Sequence, residues 1–165
     1  MKNVTILFGL LLGWAPVALG ATPALSGDPD AGKSKTATCV ACHGADGNNA
    51  VPNFPKLAGL GEKYLLKQLM DIRSGARPVP TMVGQLDGKS DQDLADMAAW
   101  FDSQARTGSQ ADPDLVALGE KVYRAGVAER NVAACIACHS PTGQGNAPAG
   151  FPHVGGQTAE YTIAQ

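Results

Sequence analysis

Residues 39 to 43 read CVACH, and residues 135 to 139 read CIACH. Two residues between the cysteines, followed at once by a histidine, place two thiols and an imidazole together on one helical turn. Two such thiols can bond the two vinyl groups on one edge of a porphyrin, while the histidine holds the iron from the proximal side. The duplicated spacing therefore predicts two covalently attached c-type haems, held by Cys39, Cys42, His43, Cys135, Cys138 and His139.

Other uses of four cysteines fit the sequence less well, although they stay open at this point. Disulfides or a thioredoxin-like redox pair would use Cys-x-x-Cys, but neither explains a histidine directly after both pairs. A zinc site built from two pairs usually separates them by roughly 12 to 20 residues, whereas Cys42 and Cys135 are 93 positions apart. The spacing thus favours haem over zinc and disulfides.

Composition limits the class of protein and of partner. The chain has 165 residues, of which 44% are hydrophobic and 17% are charged, as in ordinary globular domains. Thirteen basic residues stand against fifteen acidic ones, and no basic run is present that would neutralise phosphates. We therefore expect no nucleic-acid partner.

The first twenty residues have the pattern of a signal peptide. Lys2 supplies a positive start, residues 6–12 are apolar, and Ala18 and Gly20, on either side of Leu19, provide the small residues of a cleavage site. We expect cleavage after Gly20 and a periplasmic location. An uncleaved membrane anchor is the alternative, but the apolar stretch is shorter than the ~20 residues that span a bilayer.

The rest of the chain is an internal repeat. Cys39 and Cys135 are 96 positions apart, while Phe54 and Phe151, like Tyr64 and Tyr161, are 97 apart. A polar stretch at 105–113 separates the two copies. The predicted organisation is a signal peptide at 1–20, a first haem domain at 21–107, a linker at 108–113 and a second haem domain at 114–165.

Helical patterns surround a methionine-bearing loop in the first copy. Ser90 and Asp93 form a capping-box pattern before an apolar stripe that extends to about Gln104. A second helix is predicted from about Gly61, and residues 74–88, rich in Pro and Gly, are predicted to form a loop. This loop contains Met82, whose thioether would suit haem iron as a sixth ligand. Met70 and Met97 lie in the predicted helices, and we expect them to pack in the core.

These motifs resemble the dihaem cytochromes c of the c4 type, which are built from two class I cytochrome c domains. The resemblance covers residues 28–165 and is carried by CVACHGADGN, NFPKLAGLGEKYLLKQL, TMVGQL, SDQDLADMAAWF, CIACHSPTGQGN and GFPHVGGQTAEYTIAQ. It implies an all-α fold of two tandem class I domains. It also implies that Pro55 and Pro152 accept hydrogen bonds from His43 and His139. The first helix, near Ala31 and Gly32, should cross the helix that bears Trp100.

The resemblance further implies a function in electron transfer without catalysis. The expected partners are redox proteins, namely a membrane terminal oxidase as electron acceptor and an upstream quinol-oxidising complex as donor. Peripheral association with the membrane is a further possibility that it leaves open.

The second copy differs from the first at its C-terminal side. Gln165 is the counterpart of Gln68, so no counterpart of Met82 or of the closing helix follows in this sequence. We expect either a fragment of a longer reading frame or a short protein whose second iron is open to small ligands or peroxide. His153 follows Pro152 directly, and we expect it to face solvent, as an equivalent of Lys56, and not to bind iron.

Overall fold

The structure is a computed structural model, and it describes residues 25–49 and 51–165. The predicted signal peptide lies outside these residues. The described residues form seven α-helices: α1 Pro29–Lys35, α2 Val40–His43, α3 Glu62–Ser74, α4 Asp91–Asp102, α5 Val116–Ala125, α6 Ile136–His139 and α7 Ala159–Ile163. Their only β-structure is a pair of isolated bridges, Val127 with Val132 and Asn146 with Phe151. The predicted all-α class is confirmed.

None of the helices in the described ranges is long and apolar enough to cross a membrane.

Helices α1 and α4 cross at a glycine, as the resemblance implied. Helix α1 begins at Pro29, behind Asp28, whose side chain accepts from the backbone N–H groups of the first turn. At Gly32 the helices approach so closely that a Cβ atom there would lie 2.0 Å from the Asp96 carbonyl oxygen and 2.9 Å from Trp100 Cβ. Only a glycine allows this crossing.

A carboxylate on α4, that of Asp96, holds both ends of α1. Asp96, 3% exposed, accepts from the Asp28 backbone N–H at 2.9 Å, from Gln92 Nε2 at 2.8 Å and from Lys35 Nζ at 2.5 Å. Because three donors and one positive charge surround it, the carboxylate stays ionised, and the pKa of Asp96 is lowered, chiefly by Lys35. This network ties α1 to α4.

The hydrophobic core lies between α3 and α4. Helix α4 has the predicted capping box, in which Ser90 and Asp93 satisfy each other's backbone N–H groups. Helix α3 begins after Gly61 and ends at Gly75, which adopts a left-handed conformation. The fully buried hydrophobic side chains in the described residues all lie between Ala58 and Phe101. Met97 is 1% exposed, and Met70 packs against the same cluster, so both are core methionines as predicted.

The second copy has a more open structure in the described residues. Helix α5 follows a 3₁₀ turn at Pro113–Leu115. The sequence pattern predicts an apolar stripe along these two elements, formed by Leu115, Leu118, Val122 and Tyr123. Leu115 is 58% exposed and Leu118 is 61% exposed, while Val122 and Tyr123 are half-buried. The stripe therefore lies partly on the surface of the described structure.

Polar side chains join the two copies through the segment between them. Arg106 donates from Nη1 to the Ala58 carbonyl at 2.9 Å and from Nε to the Gly155 carbonyl at 2.8 Å. Ala58 and Gly155 are 97 positions apart, so the guanidinium bridges equivalent carbonyl groups of the two copies. Burial lowers the pKa of Arg106.

The expectation that His153 faces solvent like Lys56 is wrong. Lys56 is only 6% exposed, because its ammonium group donates to the carbonyl oxygens of Thr107 at 3.0 Å and Gly108 at 3.2 Å. His153 is half-buried, and burial is the main cause that lowers its pKa. Contact between the copies covers both side chains, and the repeat pattern alone does not reveal such contact.

We predict that Gly32→Ala destabilises the protein. The new methyl group would overlap the α4 backbone and would force α1 and α4 apart. The free energy of unfolding should therefore fall by ~1–3 kcal/mol. Denaturant unfolding of the haem-loaded protein measures this. The matched control is Gly119→Ala on α5, where nothing lies within 4 Å of the new Cβ and helix propensity should add ~1 kcal/mol of stability. A stabilising effect of both substitutions would contradict the close crossing.

Candidate functional site

The first Cys-x-x-Cys-His motif lies on a short helical segment beside a cleft. Cys39 ends a 3₁₀ turn that runs directly into α2, and α2 ends at His43. The backbone reverses there because Gly44 has a φ of +79°. Cys39, Cys42 and His43 all line the same cleft. The motif thus presents two thiols and an imidazole together, as its spacing predicted.

A backbone carbonyl sets the orientation and tautomer of His43. The ring, in a side chain that is 7% exposed, places Nδ1 3.0 Å from the Pro55 carbonyl oxygen. Because a carbonyl can only accept, Nδ1 carries the proton and Nε2 keeps its lone pair. The Asn49 side chain donates to the same carbonyl at 3.0 Å, and Phe54 meets the imidazole edge to face with 6.1 Å between ring centroids. The imidazole is therefore held as a ligand with Nε2 free.

The second motif repeats this geometry. His139 Nδ1 lies 2.9 Å from the Pro152 carbonyl oxygen, and Phe151 meets its ring edge to face at 6.1 Å. Asn146, the counterpart of Asn49, forms a backbone bridge with Phe151. Both proximal sites are thus built from the same set of residue types at the same positions in the repeat.

Two features of the second site were missed from the sequence. Ser140, at the position of Gly44, has a φ of +68° and a ψ of +165°, a conformation that non-glycine residues rarely adopt. The Tyr123 hydroxyl donates to the Ser140 carbonyl at 2.7 Å and lies 3.3 Å from the His139 carbonyl. The sequence pattern placed Tyr123 only in an apolar stripe, yet its hydroxyl holds the turn that follows the histidine.

The first cleft has the size and lining of a haem site. It encloses about 320 Å³, and most of its wall is formed by aliphatic and aromatic side chains from α3, α4 and the segments around them. The lining includes Leu57, Leu60, Leu65, Leu69, Ile72, Leu86, Met97 and Phe101. Met82, at the end of a 3₁₀ turn over Pro80–Met82, lines the same cleft as His43. Two thiols, an oriented imidazole, a thioether and apolar walls fit a covalently bound haem.

Protonation states in the cleft agree with this use. Burial lowers the pKa of His43, so its imidazole is neutral at neutral pH, as binding to iron requires. Burial raises the pKa of the Cys39 thiol. All four cysteines lie in the described ranges, and none of them pairs in a disulfide there, so each can form a thioether bond.

Polar side chains form one edge of the cleft, and one of them comes from the second copy. Tyr64, Gln68 and Arg77 line this edge together with Tyr161 of α7. Arg77 donates to Gln68 Oε1 at 2.7 Å and to the Tyr161 hydroxyl at 3.1 Å. The second copy thus contributes directly to the wall of the first cleft.

Comparison with known proteins agrees with this geometry. The family model described as Cytochrome c matches residues 29–105. Cytochrome c4 of Pseudomonas aeruginosa is 52% identical over the whole of this chain, which covers 80% of that protein. Cytochrome c4 of Azotobacter vinelandii is 53% identical over 85% of this chain and 71% of its own length. The crystal structure of reduced recombinant cytochrome c4 from Pseudomonas stutzeri superposes with a TM-score of 0.82, at 52% identity, over 85% of this chain and 78% of that one.

The fold, the two attachment motifs and the cleft define a c-type cytochrome, an electron-transfer protein with covalently attached haem. Its relatives place it more narrowly: the chain belongs to the cytochrome c4 family, whose members carry two haems. The expected cofactor, two molecules of haem c, and the expectation of redox partner proteins agree with this membership. The alternative of a ligand-binding or peroxide-consuming haem protein is not favoured by these relatives.

We predict that Tyr123→Phe lowers the stability of the second copy by ~1 kcal/mol, because the Ser140 carbonyl loses its donor. Burial raises the pKa of Tyr123, so the folded state favours the protonated hydroxyl. The difference between wild type and variant should therefore be fully present at neutral pH. It should disappear as the pH rises above about 10, where free tyrosine ionises.

Denaturant unfolding at several pH values, followed by the absorbance of the haem, measures this difference. The control is Tyr64→Phe, which removes a tyrosine hydroxyl from the first copy and leaves the Tyr123 contact unchanged. Equal stability of wild type and Tyr123→Phe at neutral pH would contradict the role given to the hydroxyl.

Proposed function

We propose that His43 and Met82 would both bind the iron of the first haem, and that His139 would bind the iron of the second. The observation that carries this proposal is that Met82 lines the same apolar cleft as His43 and its two cysteines. Met82 is half-buried on its loop, and it packs against the buried cluster of Leu86, Leu94 and Met97. In this arrangement Cys39 and Cys42 fix one haem, while Cys135 and Cys138 fix the other.

The haem iron supplies the one-electron couple, and the chain supplies what tunes it. The carbonyl oxygens of Pro55 and Pro152 accept from the Nδ1–H groups of His43 and His139. These hydrogen bonds make each imidazole a stronger electron-pair donor to its iron. The apolar walls limit access of water to the first cleft. A methionine ligand favours the ferrous state and raises the potential. If His43 and Met82 both bind it, the first iron would have no position left for a substrate, and its function would be outer-sphere electron transfer.

The proposed organisation is two tandem class I domains, at 21–107 and 114–165, joined by the linker at 108–113. The repeat of the histidine, proline and phenylalanine geometry supports it. In the described residues the second domain presents its attachment helix and proximal segment, and no methionine there corresponds to Met82.

We further propose that the protein is exported by residues 1–20 and acts in the periplasm. There it would take electrons from a quinol-oxidising complex and deliver them to a terminal oxidase at the outer face of the membrane. The signal-peptide pattern and membership of the cytochrome c4 family support this placement. The net charge of −2 is too small to favour a partner of either sign.

We predict that Met82→Ala lowers the potential of one haem and leaves the other unchanged. Loss of the soft ligand removes a preference for the ferrous state, and the shift should be a measurable part of the roughly 0.8 V that axial ligands span. A spectroelectrochemical titration measures both potentials. Met70→Ala, which shortens a methionine packed against the same core cluster, is the control and should leave both potentials near the wild-type values. Unchanged potentials in Met82→Ala would exclude Met82 as a ligand.

We also predict that the reduced protein supports oxygen consumption by membranes of its native host that contain a terminal oxidase. Added protein should raise the rate in proportion to its concentration until the oxidase is saturated. The control is the same protein in a form whose two haem irons cannot be reduced and therefore cannot carry electrons. No rise in rate with the reduced protein would contradict the proposed acceptor.

A further inference from the structure

One peptide group contacts both the first haem ligand and the second domain. Its carbonyl belongs to Pro55 and accepts from His43 Nδ1 at 3.0 Å. Its N–H belongs to Lys56 and donates to Gln157 Oε1, in the second domain, at 2.9 Å. His43 and Gln157 are therefore joined by a chain of two hydrogen bonds that passes through a single planar amide.

The Gln157 side chain is fixed for this contact. Its Nε2 donates to the Lys56 carbonyl at 3.0 Å, so the side-chain amide pairs with both backbone polar groups of Lys56. Its Oε1 also accepts from the Thr158 backbone N–H at 3.1 Å. The Lys56 ammonium group, bonded to the linker, holds the other side of the same residue. These hydrogen bonds hold Gln157 Oε1 in place as the acceptor for the Lys56 N–H.

Amide resonance connects the two hydrogen bonds. An acceptor at the N–H stabilises the resonance form in which the carbonyl oxygen carries more negative charge, so consecutive hydrogen bonds strengthen each other. A more negative Pro55 oxygen draws the Nδ1 proton of His43 more strongly, which makes the imidazole a stronger donor to its metal. A stronger donor stabilises the ferric state and lowers the reduction potential.

We propose that Gln157 is a positioning residue through which the second domain lowers the reduction potential of the first haem. The inference rests on the proposed function in one respect, namely that His43 is the proximal ligand of the first iron. It does not depend on Met82.

The second haem does not have the equivalent contact. The corresponding peptide group follows Pro152, whose carbonyl pairs with His139 Nδ1 at 2.9 Å. The residue 97 positions before Gln157 is Leu60, an aliphatic side chain that cannot accept a hydrogen bond. The effect is therefore directed from the second domain to the first haem, and it gives two otherwise similar proximal sites different strengths.

The test is Gln157→Met in the full haem-loaded protein, because methionine has a similar length but a much weaker acceptor. We expect the potential of the first haem to rise and that of the second to stay unchanged. In the reduced, diamagnetic state the His43 Nδ1–H proton signal should move upfield, as it does when a hydrogen bond weakens. Gln157→Glu keeps an acceptor, so its Nδ1–H signal should lie at the wild-type position or further downfield.

A second variant separates this effect from loosening of the domain contact. Thr158→Val removes the hydrogen bond from Thr158 Oγ1 to the Pro52 carbonyl, at 2.7 Å, and leaves the Pro55–Lys56 peptide group untouched. It should change neither the first potential nor the His43 signal. Simple loosening would expose the haem to water, which favours the ferric state and lowers the potential, the opposite sign to that expected for Gln157→Met.

Two results would overturn the inference. One is a fall or no change in the first potential in Gln157→Met with the His43 signal unmoved. The other is an equal change in Thr158→Val. Either result leaves the assignment of His43 as ligand intact, whereas loss of that assignment would appear separately, as a His43 Nδ1–H signal without the shift that the adjacent haem ring current imposes.

Discussion

A hydrogen bond between a histidine ring and a proline carbonyl, made once in each copy of the repeat, fixes the orientation of both candidate iron ligands. It puts the proton on Nδ1 and leaves Nε2 free to bind a metal. The short helix that carries the motif, the turn after it and the Phe-Pro segment all serve to bring these two groups together. Asn49 and Tyr123 reinforce the arrangement in different ways in the two copies.

The two copies share this proximal arrangement but differ in what surrounds it. The first has a buried core between α3 and α4, and mainly apolar side chains line its cleft. The second, in the described residues, leaves part of α5 exposed and places Tyr161 and Gln157 against the first copy. Contact between the copies is consequently polar, and it reaches the backbone that holds the first histidine. In the proposed mechanism, the second domain acts on the potential of the first haem through this contact, without any change of shape.

Much of the fold and the proximal sites could be predicted from the sequence because their signals are local or periodic. The Cys-x-x-Cys-His spacing, the capping box at Ser90 and the repeat offset each depend on residues a few positions apart, or on a constant shift. The burial of Lys56 and the hydrogen bonds from the Gln157 side chain to the Lys56 backbone could not be predicted. Both arise between residues that are about fifty or a hundred positions apart in the sequence. The expectation that His153 faces solvent is wrong for the same reason, because contact between the copies covers both His153 and its equivalent Lys56.

In the proposed first site, His43 and Met82 would both bind the iron, so that the site would exchange electrons only. Proton nuclear magnetic resonance of the reduced protein tests it most directly, because the haem ring current shifts the methyl group of an axial methionine far upfield. If Met82 binds the iron, one such methyl signal is expected, and it belongs to Met82. Assignment of this signal to another residue, or a Met82 methyl signal at the ordinary position of a surface methionine, would contradict it.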